Sequence, residues 1–482
     1  MAQSNLASDK RRPGTFHYFD DTSGSRSLIP IERSVALVGV KSSAGTATVN
    51  VPLQVFNESE GAAAGGQGSE IDMMVRAAFA AMRSLAASIR GSACKVFVVP
   101  LTAPSGVQAT RTFTVTGTAT ANGDLVIRIA GRTIRAPVKS GDVQNTVAAN
   151  LKTAIDAYLT TLPVTVGVST NVVTTTHVTN GVNGNDVKVE VVSTVGGVTV
   201  VAANAVAGTG VASIVTALDS LGAKDYLAVA LGGHLAQEVT DAGTHLDAMW
   251  LAAKKRYRHV FIGETGTLAT ATTLASGGNR KDIVIGSFEQ SPSLPSEFAA
   301  MLGVMSQVRE RPSYNYDGTI LPLYAPADTY IYDDSEVETA LAGGVTPLTV
   351  TTDTGSPRVE RLVTTKTTVS SIRFENLLDY SHSATVAYYA RQLDARLVRA
   401  IQGQNVDSEF LKDLKDIAFE VLKQGEDLGD LHHVDDHVAE LIVEAHPTIP
   451  SRVLLEFPQS VVPSAHQIDV THRLFVEGAV AA

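Results

Sequence analysis

The 482-residue chain has one cysteine, one tryptophan and only 6% aromatic residues. The lone Cys94 cannot form an internal disulfide, so no covalent framework holds the fold and nothing ties it to an oxidising compartment. Placed just before the strand-like run Lys95–Leu101, it is expected to be a small core side chain. No stretch approaches the roughly 18 apolar residues of a membrane span, and no apolar segment follows the charges of Lys10, Arg11 and Arg12. A soluble protein without membrane insertion is expected. Basic residues are also short, 38 Lys and Arg against 49 Asp and Glu, a formal net charge of −11. With no basic patch interleaved with aromatics, this balance argues against direct nucleic-acid binding.

Signatures of catalysis are equally sparse. Gly263-Glu-Thr-Gly266 follows a strand but lacks the lysine that reaches phosphates in a nucleotide-binding loop. Gly61–Gly68 precedes a helix, yet a polar stretch from Ser42 to Glu60 separates it from its strand, against the dinucleotide fingerprint. No Gly-x-Ser-x-Gly elbow is present, and Cys94 has no neighbouring His or acid. His432, His433, Asp435, Asp436 and His437 form the densest metal-ligand candidate, with His433 and His437 on one face if the turn is helical. The segment also reads as a polar connection after Gly425 and Gly429. No catalytic, cofactor-binding or metal-binding residue is therefore assigned. A nucleotide-using α/β enzyme and a hydrolase using His432, His433 and His437 remain as alternatives.

What the chain does have is 44% hydrophobic and 18% charged residues, a globular profile, in a length that exceeds the roughly 250–300 residues of a single core. Short apolar runs alternate with helical periodicity. Val35–Val40, Lys95–Leu101, Tyr226–Leu231, His259–Gly263 and Asp282–Ser287 read as about five buried strands. Helices are expected at Ser69–Arg90, with Ser69 as N-cap, Gln237–Arg258, Leu268–Ala275 and Ser296–Gln307. This alternation predicts a mainly parallel α/β core covered on both faces.

Residues 104–210, rich in Thr, Val, Gly and Asn, interrupt it as an inserted β-rich α+β domain. There Asn122-Gly123 predicts a hairpin between Thr112–Gly117 and Asp124–Ile129, and Val143–Leu159 a helix. Beyond Pro312 lies a long stretch of little regular pattern that includes Tyr314–Pro322. A C-terminal α+β domain follows, with helices at His382–Gln402 and Ser408–Lys423 and strands at Ala439–Val443 and Arg452–Phe457. The divisions are 1–30, 31–103, 104–210, 211–358, 359–465 and 466–482.

Both termini read as extended arms. The first carries Phe16, Tyr18 and Phe19. In the last, Ile468, Val470, Leu474 and Val476 fall on one face at period two. Such segments either complete this chain's own sheet or add to the edge of another chain.

The order of features resembles the contractile tail sheath family, particularly the sheaths of Mu-like bacteriophages. The elements are Arg12-Pro-Gly-Thr-Phe16, Val35–Gly39, the passage into Val96–Leu101, the insertion with Gly181-Val-Asn-Gly-Asn-Asp-Val187, and the helix bearing Tyr389–Arg396. The family's turn usually ends in Ile where Val187 stands. The resemblance implies a non-enzymatic subunit without cofactors that polymerises as stacked hexameric rings around a tail tube and contracts to drive the tube through the host envelope. It also implies self-association, contacts with tube, baseplate and tail terminator proteins, assembly in the host bacterial cytoplasm and a place in the virion tail. A sheath of a genome-free injection particle would look the same. Phe16, Tyr18, Phe19, Ile468, Val470, Leu474 and Val476 are then the expected subunit-linking residues. Lys412, Lys415 and Lys423 are candidates to face the tube. The insertion is expected on the outer surface, dispensable for the core fold.

Overall fold

A computed structural model describes residues 31–88, 94–309, 311–374, 376–402, 404–464 and 466. The chain divides into two compact units, whose described parts are Glu32–Tyr388 with the residues from Val461 onward, and Tyr389–Ser460 with Ile31.

In the first unit, β1 (Ser34–Val40) is buried at every position. It is followed by β2 (Leu53–Val55), α1 (Glu58–Gly65), α2 (Glu70–Ser88) and β3 (Lys95–Leu101). The start of α2 is fixed as its sequence suggests, since the Asp72 backbone N–H donates to Ser69 Oγ at 3.2 Å. The inserted residues then form β4 (Thr110–Gly117), β5 (Gly123–Ile129), β6 (Arg132–Val138), α3 (Gln144–Asp156), β7 (Val164–Ser169), β8 (Val172–His177), β9 (Val189–Ser193) and β10 (Val198–Val206).

The chain returns through α4 (Val215–Ser220), β11 (Ala228–Leu231), α5 (Ala236–Met249), β12 (His259–Glu264), α6 (Leu268–Gly278), β13 (Ile283–Ser287) and α7 (Pro295–Val308). Then come α8 (Asp334–Ala342), β14 (Thr346–Val350), β15 (Pro357–Val359), the short pair β16 (Thr368–Val369) and β17 (Ile372–Arg373), and α9 (Tyr380–Ala400).

Eight strands make the main sheet in the order β15-β14-β13-β12-β11-β1-β3-β2. The six from β14 to β3 run parallel, and β15 and β2 are antiparallel at the two edges. Side chains alternate between two cores: Val35 and Leu37 pack with residues of α2 and α7, Ala36 and Val38 with residues of α4, α5 and α6. This double coverage is why the strands read as continuous apolar runs.

Three sequence expectations change. Asn122-Gly123 does not close a hairpin, because β4 pairs with β10 and β8 while β5 pairs with β6 and β9. A tight hairpin instead joins β5 and β6, turned by Ala130 and Gly131, both at positive φ. The helix expected to run to Arg258 ends at Met249. Arg258 is instead fully buried, its guanidinium donating to the carbonyls of Leu221 (2.9 Å) and Lys224 (2.8 Å) and to His245 Nε2 (3.0 Å). A guanidinium only donates, so the imidazole accepts as the neutral ring, and burial beside Arg258 pushes the His245 pKa down to about 4. Finally, the stretch beyond Pro312 holds α8, with a reciprocal Asp333–Glu336 cap, and β14, the sixth parallel strand.

The inserted strands form two sheets, β10-β4-β8-β7 and β6-β5-β9, around a core that also takes in α3. Met73 of α2 and Leu294 before α7 belong to that same hydrophobic cluster, so the insertion shares a core with the sheet that carries it.

The second unit contains the end of α9, α10 (Ser408–Asp427) and an antiparallel pair, β18 (Ile442–Ala445) and β19 (Val453–Glu456). Asp407 caps α10 by accepting from the Phe410 N–H at 2.8 Å. The buried stripe Phe410, Leu414, Ala418, Val421 and Leu422 gives the helix its inner face. Whereas the sequence suggests a C-terminal domain from Val359, this unit begins at Tyr389. Val359 pairs with Leu348 across β15 and β14, and Arg361 bonds Asp379, which keeps that stretch with the main sheet.

Candidate functional site at the carboxyl ends of the central strands and the assembly surfaces

Strand order reverses at β1, whose neighbours β3 and β11 lie on opposite sides, so the crevice beyond the carboxyl ends of β1 and β11 is where open α/β sheets bind ligands. Here protein fills it. Glu70, at the start of α2, accepts from the Val40 N–H at the end of β1 (2.7 Å) and from Asn183 Nδ2 of the insertion (2.6 Å). Gly232 and Gly233, following β11, let acidic side chains come close. A Cβ on Gly232 would lie 2.4 Å from the Glu70 carboxyl carbon.

The next residue, His234, inserts its ring between Glu264 at the end of β12 (Nδ1 to Oε2, 2.9 Å) and Asp186 of the insertion (Nε2 to Oδ2, 3.1 Å). Lys188 of the insertion also donates to Gln290 of the core at 2.9 Å.

Burial pushes the Glu70 pKa up to about 7, and the charges of Glu238 and Asp186 add to this; the Val40 N–H and Asn183 offset part of it. For His234, burial alone favours the neutral ring. The hydrogen bonds and charges of Asp186 and Glu264 outweigh burial and hold the pKa well above its ordinary value. Glu264 also suffers burial, but His234 and the N–H groups of Gly266 and Thr265 keep its pKa below the usual carboxylate range. Raised carboxylate pKa values often mark active sites. The void beside Glu70, His177, Asn183 and Asp186 is only about 10 Å³, enough for one water and not for a substrate. The arrangement, called the hub below, fixes the insertion to the carboxyl ends of β1, β11 and β12.

The sequence motif Gly181–Val187 contains Asn183 and Asp186, but nothing in it points to their partners Glu70 and His234, or to Glu264 on the far side of His234. The available signal was a Gly-Gly-His turn directly after a buried strand.

Phe16, Tyr18, Phe19, Ile468, Val470, Leu474 and Val476 lie outside the described residues. On α10, Lys412 and Lys415 are exposed beside the equally exposed Asp413 and Asp416. Lys423 is partly buried and engaged within its own unit, with Glu426 and with Asp435 at 3.0 Å. A groove of about 590 Å³ lies between the end of α9 and α10, floored by Phe410 and Ile417. The β18–β19 pair has no further strand on either edge among the described residues, and Ile442 is exposed.

The histidine cluster does not converge. His433 faces Asp436 (3.1 Å), His437 faces Glu440 (3.0 Å), and His432 Nδ1 lies 3.2 Å from the Ser460 carbonyl. Among the described residues no group of three or more His, Cys, Asp or Glu is arranged to hold a metal ion. None of the described helices is long and apolar enough to cross a membrane.

No protein-family model matches the chain. It is 31% identical over 185 residues to the Mu-like prophage FluMu tail sheath protein of Haemophilus influenzae, a match covering 38% of this chain and 36% of that protein. The chain thus aligns with about a third of that relative's length. Among solved structures, the sheath tail protein of Listeria innocua superposes with a TM-score of 0.52 and 14% identity, over 91% of this chain and 94% of that one.

The chain has the tail-sheath fold. A second match, a sheath of an extracellular contractile injection system in its contracted state, has a TM-score of 0.50 and 11% identity over 97% of this chain and 98% of that one. Within the sheath fold, the mixed α/β architecture expected from sequence is present.

Proposed function

We propose that the chain is the structural subunit of a contractile tail sheath, stacking as hexameric rings around a tail tube and contracting to drive the tube through the host envelope. The observation that carries this is a sheath fold matched over nine-tenths of the chain, together with identity to a Mu-like tail sheath protein. Head-to-tail contacts between identical subunits generate open helical arrays. Segments that stay joined while rigid bodies repack let such an array change length. The work then comes from interfaces formed at assembly, and the subunit is non-enzymatic. A crevice filled by Asn183 and Asp186 supports this over a nucleotide-using or metal-dependent enzyme.

In this reading Ile468, Val470, Leu474 and Val476 add a strand to an open edge of the β18–β19 pair in a neighbouring subunit. A two-stranded sheet is marginal by itself, and backbone pairing gives affinity while alternate side chains set register. Phe16, Tyr18 and Phe19 link at the other end. Exposed Lys412 and Lys415 face the tube, with Lys423 held back by its own acids. The partners are further copies, the tube, the baseplate and the tail terminator, in a virion tail assembled in the host cytoplasm or in a genome-free injection particle.

Negative-stain electron microscopy of the purified full-length chain tests this. Hollow tubes or stacked rings are expected. Monomers that bind a nucleotide or metal, and never assemble with tube protein, contradict it.

A further inference from the structure

The main sheet carries opposite charges at its two ends. In a parallel sheet each crossover leaves the carboxyl end of one strand and returns to the amino end of the next, which divides the turns between the two ends.

At the amino end, the turn from α5 into β12 bears Lys254 and Lys255, both exposed, and the half-buried Arg256. The turn is fixed. The N–H groups of Lys254 and Lys255 both donate to the Leu251 carbonyl, at 2.9 and 3.0 Å, and the Arg256 N–H donates to that of Met249 at 3.0 Å. Trp250 Nε1 donates to the Arg258 carbonyl at 3.2 Å, and Lys281, just before β13, lies over the Trp250 ring at 4.1 Å. Exposed Lys224 belongs to the adjoining loop before β11, its carbonyl accepting from buried Arg258. Two nearby acids, Asp247 and Asp282, are both taken by Arg280 at 2.8 Å. Leu251, in the same turn, is 57% exposed.

At the carboxyl end the sign is reversed. The Tyr332 hydroxyl bonds that of Ser287, the last residue of β13, at 2.7 Å, which places the start of α8 there. Asp328, Asp333, Asp334 and Glu336 flank Tyr332 in sequence and are all exposed, and Tyr330 is 44% exposed. Residues 312–357 contain no Lys or Arg.

We infer that these two ends dock on each other between successive copies of this chain, the Lys254–Arg256 turn of one subunit seating on the Asp328–Glu336 segment of the next. This deepens the proposed function and rests on its reading of the chain as a self-assembling subunit. At a net charge of −11 two copies repel as wholes, and the basic turn is a local exception that selects how they approach. End to end, a two-fold pairing sets like charges against like. A head-to-tail contact matches them and leaves each end free for a further copy, the geometry that generates an open array. Leu251 and Tyr330 supply the apolar contact that charge alone lacks.

The test swaps charges in the full chain. Lys254→Glu with Lys255→Glu makes both ends acidic, and Asp328→Lys with Asp334→Lys makes both basic, sparing the Asp333–Glu336 cap. Each pair is expected to weaken self-association about tenfold or more in sedimentation velocity at low salt, with the melting transition retained. Mixing the two variants, or combining all four substitutions in one chain, restores the match and is expected to recover association, which a misfolded variant could not do. Parent-like association of each pair alone, no recovery on mixing or combination, or a parent that stays monomeric at every concentration overturns the contact. Loss of heparin binding in the Lys254→Glu, Lys255→Glu chain with self-association unchanged also overturns it, and assigns the turn to a polyanion. Electron microscopy with tube protein reads the sheath separately. Rings or tubes indifferent to every swap remove this contact and leave the sheath, whereas charge-dependent oligomers that never form rings or tubes do the reverse.

Discussion

Nε2 of His234 lies 3.1 Å from the Asp186 carboxylate, and through that contact the turn after β11 holds the inserted domain. The other ring nitrogen is 2.9 Å from Glu264. Carboxylates accept and do not donate when ionised, so a ring bonded to two of them carries both protons and a positive charge. The insertion is keyed to the sheet by a partly buried cation between two anions.

Removing one member strands the others. His234→Gln leaves Asp186 and Glu264 facing each other without a cation, and breaking a largely buried pair costs roughly 3 kcal/mol. Urea unfolding of the full chain is expected to show that loss, with a comparable one for Asp186→Asn. A change below about 0.5 kcal/mol, the size typical of surface substitutions, sinks the idea.

Glu70 makes the hub sensitive to pH. Its folded pKa is raised from 4.5 to about 7, so the folded state binds more protons over that interval. Stability is fully present below about 4.5 and is lost as pH rises through about 7. His234 acts in the same direction, its contribution complete below 6.5 and lost as pH rises through its raised value. Glu264 opposes at the acid end, with a contribution present above 4.5 and lost as pH falls through its lowered value. His245, lowered to about 4, opposes between 6.5 and 4. Comparison with Glu70→Gln isolates the first effect: the variant is expected to gain on the parent by up to roughly 3 kcal/mol between pH 5 and 8.5. Thermal melting at the two pH values checks it, and a difference that stays constant contradicts it.

Gly232→Ala places a methyl 2.4 Å from the Glu70 carboxyl carbon, and that carboxyl is already held by the Val40 N–H and Asn183. Overpacking of this kind costs roughly 1–3 kcal/mol. Chemical denaturation provides the number, and a neutral substitution would show that Glu70 moves aside freely.

In the second unit, the buried Tyr389 hydroxyl donates to Asp430 at 2.7 Å. Tyr389→Phe removes a bond to a charged acceptor, a loss of roughly 1.5–3 kcal/mol. Lys412→Glu with Lys415→Glu, both exposed, is expected to leave melting unchanged and to abolish co-sedimentation with tube protein at low salt. Co-sedimentation like that of the parent would remove these lysines from the tube-facing surface.

How far the sequence carried follows from which contacts are local. Val35–Val40 and Lys95–Leu101 were legible as buried strands because both faces of the sheet are covered, and Ser69 with Asp72 marked the start of α2. Asn122-Gly123 misled because a turn signal reports local conformation, whereas partners for β4 and β5 were decided by β8, β9 and β10 from far along the chain. The α8 helix was missed although Asp333 and Glu336 spell a capping box, since only Ala340 of its nine residues is buried and little apolar periodicity results. The hub was beyond reach. Glu70 and Asn183 are 113 positions apart, and neither residue type predicts the other.

The most direct test of the central claim compares the full chain with one lacking residues 466–482, by sedimentation and electron microscopy under identical conditions. The account predicts hollow tubes or stacked rings from the full chain and dispersed, folded subunits from the truncated one. Sheaths of normal form from the truncated chain would contradict it.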